Sequence, residues 1–264
     1  MAVLVVEKAK VQNNLSRLQQ LCGTSLVMPM IKANGYGLGT EWLVLTLAGM
    51  GVKRYVCARL EDALLIRNLL PDAEIILVTC YEDIESVETI LSMGITPAVG
   101  TEEGLRAFSR AAAQKGGLLS VHLKLDTGMG RFGFLCEKPQ DIQNIYNLFS
   151  KYNNIQIEGT FTHFSRCFGG KKNEKATLAQ LELFLKAVEA LKSMGLNPGF
   201  LHAANSVAAL TLPETRLDGV RVGSALLGRC FAAQAHGLEK VGRLEAEILC
   251  LRDLPKGHSI GYGG

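Results

Sequence analysis

The 264 residues carry 28 basic and 25 acidic side chains, a formal charge of +3, with 48% hydrophobic and 20% charged residues. That balance excludes a disordered or fibrous chain and supplies enough apolar surface for a full globular core. The charges are scattered rather than blocked, so no basic strip marks a nucleic-acid or membrane surface, and a small-molecule ligand is the expected partner.

At the N terminus the apolar run MAVLVV meets Glu7 and Lys8 too soon for a signal-peptide core. No later run reaches the length of a membrane span, which predicts a soluble, cytoplasmic protein. The seven cysteines are odd in number and include no C-x-x-C pair, so they read as reduced thiols rather than a disulfide framework or a zinc site. A helix is predicted over 8–22. The short, nearly continuous apolar segment SLVMPMI then reads as a buried strand. Further strands are predicted at RYVCA, EIILVT, ITPAV, LLSVHLKL, IQIEGTFT, GFLHA and TRLDGVRV, with helical segments such as EDALLIRNLL and TLAQLELFLKAVEALKSMG between most of them.

Eight strands in a β-then-α rhythm imply an α/β fold with a parallel sheet. Eight units in roughly 220 residues suit a closed (β/α)8 TIM-type barrel better than an open doubly wound sheet, which remains the alternative. After Gly228 the pattern changes to residue-by-residue alternation punctuated by Pro and Gly, GRLEAEILCLRDLPKGHSIGYGG. The expected organisation is a barrel domain over 1–229 and, over 230–264, a linker with the first strands of a β-rich C-terminal domain.

In a parallel barrel, chemistry gathers where strands end, on the C-terminal face. Lys32 ends the first such strand, in MIKANGYGLG. A primary amine at such a position is a candidate nucleophile toward a carbonyl, whereas the plainer reading is a strand-end lysine reaching for water. Gly35, Gly37 and Gly39 permit close backbone approach to a ligand, and Tyr36 offers a hydroxyl suited to a phosphate. LKLDTGMGRFGF then brings Lys124, Asp126 and Arg131; THFSR brings His163; HAANS brings His202, Asn205 and Ser206; RVGSALLG brings Arg221 and Gly223. A single histidine of this kind is more often a core or cap residue. Polar groups at five successive strand ends indicate a site.

Taken together these motifs resemble the alanine racemases, pyridoxal-phosphate (PLP) enzymes with a barrel fold, from about residue 4 to the last residue. IKANGYGLG resembles the family's cofactor-lysine motif, which implies that Lys32 holds PLP and serves as one catalytic base, with Tyr36 at the phosphate. DTGMGRFGF resembles the segment whose arginine, here Arg131, meets the cofactor phenolate and the substrate carboxylate. Lys124 falls where many members carry a carbamylated lysine. HAANS resembles the phosphate-binding turn, which implies Ser206 as a phosphate ligand supported by Asn205, with Gly223 and Ser224 completing the cup through backbone N–H groups. Arg221 aligns with the arginine facing the pyridine nitrogen, and His163 with the histidine held near it. IGYGG resembles the family's GYG motif and makes Tyr262 the second catalytic base.

The resemblance implies interconversion of L- and D-alanine by two-base proton transfer, in a cytoplasmic homodimer whose partner subunit supplies the tyrosine. It departs at Leu227, where a tyrosine is usual, and ahead of GRLEAEI, where a proline is common. Family members also continue as a β domain past the point matched by Gly264. Two other readings remain open. One is a barrel-type amino-acid decarboxylase, which expects an acidic partner at the pyridine nitrogen where Arg221 stands. The other is a non-catalytic, single-barrel PLP-binding homeostasis protein. No metal site is expected.

Overall fold

A computed structural model describes residues 1–263. The chain opens with strand β1 (Ala2–Val6) and helix α1 (Lys8–Cys22), followed by β2 (Leu26–Ile31), the single turn α2 (Ala33–Tyr36) and α3 (Thr40–Ala48). Next come β3 (Arg54–Cys57), α4 (Leu60–Leu69), β4 (Glu74–Cys80), α5 (Ile84–Ser92), β5 (Thr96–Val99) and α6 (Glu102–Gln114). The second half contains β6 (Leu119–Asp126), the short β7 (Phe134–Leu135), α7 (Pro139–Lys151), β8 (Ile155–Phe161), α8 (Gly170–Ser193), β9 (Phe200–His202), α9 (Ser206–Thr211), β10 (Gly219–Val222) and β11 (Gly242–Ala246).

Strands β2, β3, β4, β5, β6, β8, β9 and β10 pair in that order, all parallel, and β10 returns to β2, so the sheet closes into a barrel. These are the eight strands expected from the sequence, and the closing β10–β2 register, Gly219↔Leu26 to Val222↔Pro29, removes the open-sheet alternative. Pro29 falls where β2 changes neighbour: residues 26–29 pair with β10, and Met30 and Ile31 pair with β3. A residue without an N–H to donate is tolerated at such a changeover.

Side-chain alternation divides the strands into two apolar layers. Val27, Ile31, Tyr55, Cys57, Ile75, Leu77, Val121, Leu123, Val220 and Val222 face outward and join the helices in the main core. Met28, Val56 and Ile76, with Met30, Val78 and Phe200, form a separate inner cluster. The same alternation puts His122, Lys124, His202 and Arg221 in the lumen, all buried. The lumen therefore has an apolar side built on β2–β4 with Phe200 of β9, and a polar side of His122, Lys124, His202 and Arg221 from β6, β9 and β10.

The helices form for local reasons. α1 buries Val11, Leu15, Leu18 and Cys22 at spacings of three and four residues, a single stripe toward the barrel. In α6 the Thr101 hydroxyl accepts from the Gly104 N–H at 3.0 Å, an N-cap, and in α5 Asp83 does the same for Ser86 at 2.8 Å. Asn14, 1% exposed, donates to the carbonyls of Leu226 (3.0 Å) and Glu239 (2.8 Å) and accepts from the Glu239 N–H (2.8 Å), tying α1 to the segment after β10.

Outside the barrel β1 pairs antiparallel with β11, from Ala2↔Ala246 to Val6↔Gly242. The sequence predicts no element over residues 2–6, and over 230–264 a linker with the first strands of a β-rich domain. Among the described residues there is one, β11, and its partner comes from the other end of the chain. Residues 247–263 join no helix or strand. All seven cysteines are free. Among the described residues no helix is long and apolar enough to cross a membrane.

Candidate active site

One cavity of about 490 Å³ opens at the C-terminal ends of the barrel strands, and Lys32, Tyr36, Arg131, His163, Asn205, Ser206, Arg221, Gly223 and Ser224 all line it. Each sits there for a traceable reason. Lys32 follows β2 directly with extended backbone, and the chain then winds left-handed through Ala33 (φ 49°), Asn34 (52°), Gly35 (60°) and Tyr36 (57°). For residues with a Cβ this costs about 1–2 kcal/mol each, so the turn needs support. Asn34 Oδ1 accepts from the Thr40 N–H (3.1 Å), and Arg229 donates to the Tyr36 carbonyl (2.6 Å). The result is a tight reversal that lays the Tyr36 ring beside the lysine, with Nζ 5.7 Å from the ring centroid. Burial pushes the Tyr36 hydroxyl far above its ordinary range, which keeps it a proton-bearing donor.

Gly223 faces that hydroxyl, and a Cβ on it would lie 1.7 Å from Tyr36 Oη, so only glycine fits. The Ser206 hydroxyl oxygen accepts from the N–H groups of Gly223 (3.0 Å) and Ala225 (3.1 Å). The sequence reading expects Gly223 to give its N–H to a phosphate. In the structure that N–H is committed to Ser206, whose own O–H remains to donate. Asn205 caps α9, its side chain accepting from Val207 and Ala208 at 3.1 Å each, and donates to Cys167 Sγ at 3.3 Å.

Arg131 is delivered by the turn after β6. Asp126 Oδ1 accepts from Gly128 (2.9 Å), Met129 (2.9 Å) and Gly130 (3.2 Å), which fixes the loop. Burial alone would raise the Asp126 carboxyl, but these amides and the Lys124 ammonium outweigh it and the net shift is downward. The Arg131 guanidinium stacks on Phe132, 4.8 Å from the ring centroid.

Arg221 is 5% exposed. Nη1 donates to His202 Nδ1 (2.6 Å) and the His202 carbonyl (3.0 Å), and Nη2 to the carbonyls of Thr162 (2.7 Å) and Ala203 (2.9 Å), with His163 Nδ1 at 3.4 Å. Every partner is neutral. Burial, with Arg131 nearby, lowers Arg221 to about 9, still cationic at neutral pH. With both Nη nitrogens committed, Nε–H is the donor left for a ligand. His163 is held at about 3 by burial and then by the Arg221 and Arg131 charges, so it is a neutral ring.

Residues 6–230 match the family profile described as alanine racemase, N-terminal domain. The chain belongs to the alanine racemase family. The alanine racemase of Carboxydothermus hydrogenoformans is 31% identical over 262 residues, which cover 98% of this chain and 69% of that relative. That of Sorangium cellulosum is 33% identical over 267 residues, with the same coverage of 98% and 69%. The solved alanine racemase of Clostridium difficile 630 has a TM-score of 0.86 at 25% identity and is matched over 99% of this chain and 69% of its own.

Two residues singled out by the alanine racemase resemblance stand apart from the cavity lining. Lys124 is 1% exposed, beneath the cavity; its ammonium donates to the Leu125 carbonyl (2.6 Å) and lies over the rings of Phe161 (5.5 Å) and Phe132 (5.9 Å). Burial lowers it to about 8, against the opposing pull of Asp126. Tyr262 is fully exposed and does not line the cavity of its own chain. The cavity also uses Met30, Ala58, Val78, Thr79, Phe132, Phe161, Phe168 and Val207, which sequence reasoning did not single out. Met30 could have been found, since it lies two residues before Lys32 on the same strand face.

Proposed function

We propose that this chain is a PLP-dependent alanine racemase whose cofactor is held by Lys32. The observation that carries the reading is the donor set of the cavity: a primary amine (Lys32), two guanidinium groups (Arg131, Arg221) and the hydroxyls of Tyr36 and Ser206, with no carboxylate in the described lining. Such a set fits an aromatic aldehyde bearing a phosphate. Ser206, Ser224 and Tyr36 would hold the phosphate, Lys32 would bind the aldehyde, and Arg221 would serve the ring nitrogen.

When bound, PLP supplies the electron sink that makes the α-proton of an amino acid removable. The rest is the work of the chain. Lys32, the primary amine of the cavity, would take or return a proton at the α-carbon of the substrate from one face. Arg131 pairs with the substrate carboxylate and orients that carbon. Arg221, a cation without a carboxylate partner among the described residues, would disfavour a proton on the ring nitrogen of such a group and so guard against transamination.

The opposite face needs a second base. Tyr262, exposed on its own chain, is assigned that role in a homodimer, where Tyr262 of the partner subunit enters the cavity. Arg221 argues against the decarboxylase reading, which requires an acidic group there. A coupled assay for D-alanine formed from L-alanine by the PLP-loaded protein tests the proposal. PLP binding without turnover would instead favour the homeostasis reading.

A further inference from the structure

Three buried groups line up across the polar half of the lumen. Arg221 Nη1 meets His202 Nδ1 at 2.6 Å, and His202 Nε2 meets His122 Nδ1 at 2.8 Å. Both histidines are 0% exposed. The direction of every proton in this chain follows from its first member. Arginine has only donors, so His202 accepts at Nδ1 and, as a neutral ring, carries its proton on Nε2. That proton is given to His122 Nδ1, so His122 carries its own proton on Nε2. Any other arrangement points two N–H groups at one another. The line ends at His122 Nε2, which is buried with no hydrogen-bond partner among the described residues.

The seat of the His122 ring is built in. On β8, a Cβ at Gly159 would lie 2.5 Å from His122 Cε1, so glycine there leaves the ring its space. Phe161, two residues further on the same strand face, stacks on His202 with centroids 4.8 Å apart and planes at 11°, which holds the middle ring flat. A histidine left unpartnered at one nitrogen, in a slot cut from the neighbouring strand, is costly as mere packing.

We propose that His122 is a positioning residue: as the terminal acceptor it fixes His202 in the Nε2–H tautomer, and through it the orientation in which Arg221 presents Nε–H to the cavity. Without His122, the His202 Nε2–H loses its acceptor. Shifting that proton to Nδ1 would set it against Arg221. The tautomer assignment stands whatever reaction the cavity performs; only its kinetic consequence rests on the racemase reading.

The test begins with the unaltered full chain, labelled with 15N-histidine and examined by long-range 1H–15N correlation near neutral pH. Signals are assigned through the His122→Asn and His122→Leu variants. Both His122 and His202 are expected to carry the proton on Nε2, and a proton on Nδ1 of either ring overturns the proposal. The kinetic arm uses the PLP-loaded forms. His122→Leu, which removes the acceptor, should lower kcat by about 10- to 100-fold with little change in KM, and should raise the fraction of turnovers that end in transamination. His122→Asn, whose amide oxygen can accept in place of Nδ1, should restore most of both. Equal losses in the two variants, or an unchanged product ratio in a folded His122→Leu chain, overturn the positioning role. A wild-type chain with the expected tautomers but no racemisation would count against the racemase reading alone.

Discussion

At the scale of single residues, the cavity depends on contacts too close to tolerate a methyl group. Gly223→Ala would drive a Cβ into the Tyr36 hydroxyl. Overpacking of this kind costs about 1–3 kcal/mol, so PLP affinity, measured by equilibrium dialysis, should fall about 5- to 150-fold while the fold persists. Lys32 carries the sharpest chemical expectation. Borohydride reduction of the PLP-loaded chain followed by peptide mapping should place the label on Lys32, and label on another lysine would remove the assignment. Lys124 differs because burial brings its amine to about 8, leaving an appreciable neutral fraction near neutral pH. A neutral amine can add to carbon dioxide, forming an N–C bond and releasing a proton. Incubation with 13C-bicarbonate should therefore give a carbamate resonance that Lys124→Ala lacks, and the same signal in that variant would assign it elsewhere.

At the scale of elements, a few buried polar groups set how the pieces join. Asn14 satisfies three backbone groups of residues 226–239 from the inner face of α1. Asn14→Ala leaves all three unpaired, and the buried one, the Leu226 carbonyl, alone costs about 1–3 kcal/mol. The urea midpoint should drop accordingly, with no change in the slope of the transition. A shift within error would mean that water replaces the side chain. The same segment carries Arg229, whose guanidinium holds the left-handed turn after Lys32 through the Tyr36 carbonyl. Packing of α1 and the pose of Lys32 are thereby linked.

For the whole molecule, three neutral histidines add to the response to acid between neutrality and the carboxylate range. Burial, with Arg54 and Arg221 adding to it, holds His122 at about 3; burial and Arg221 hold His163 at about 3; burial drives His202 well below its ordinary value. In the unfolded chain all three take up protons near 6.5, so between about 6.5 and 3 the unfolded state binds more protons. The stability they contribute is present above 6.5 and is lost as the pH falls through that window. Each group contributes about 1.4 kcal/mol per pH unit, so denaturant midpoints should fall steeply below pH 6. A flat profile from pH 7 to 5 would show that water reaches these rings.

Strand spacing and strand-end chemistry were both legible in the sequence because they are local. Eight short apolar runs separated by helical segments leave few ways to bury a parallel sheet, and strand ends in such a sheet share one face. The lysine, arginines and serine gathered in the cavity follow from that rule alone. What the sequence could not show is pairing between distant residues. β1 was hidden because a five-residue apolar run has no face until β11, from the other end of the chain, supplies its partner. His122 was hidden because LLSVHLKL reads simply as a buried strand, and its role depends on His202, eighty positions away. Even the use of the Gly223 N–H depended on the Ser206 hydroxyl reaching it first. Periodicity fixes which way a side chain points, but the atom it meets there is decided only when the barrel closes.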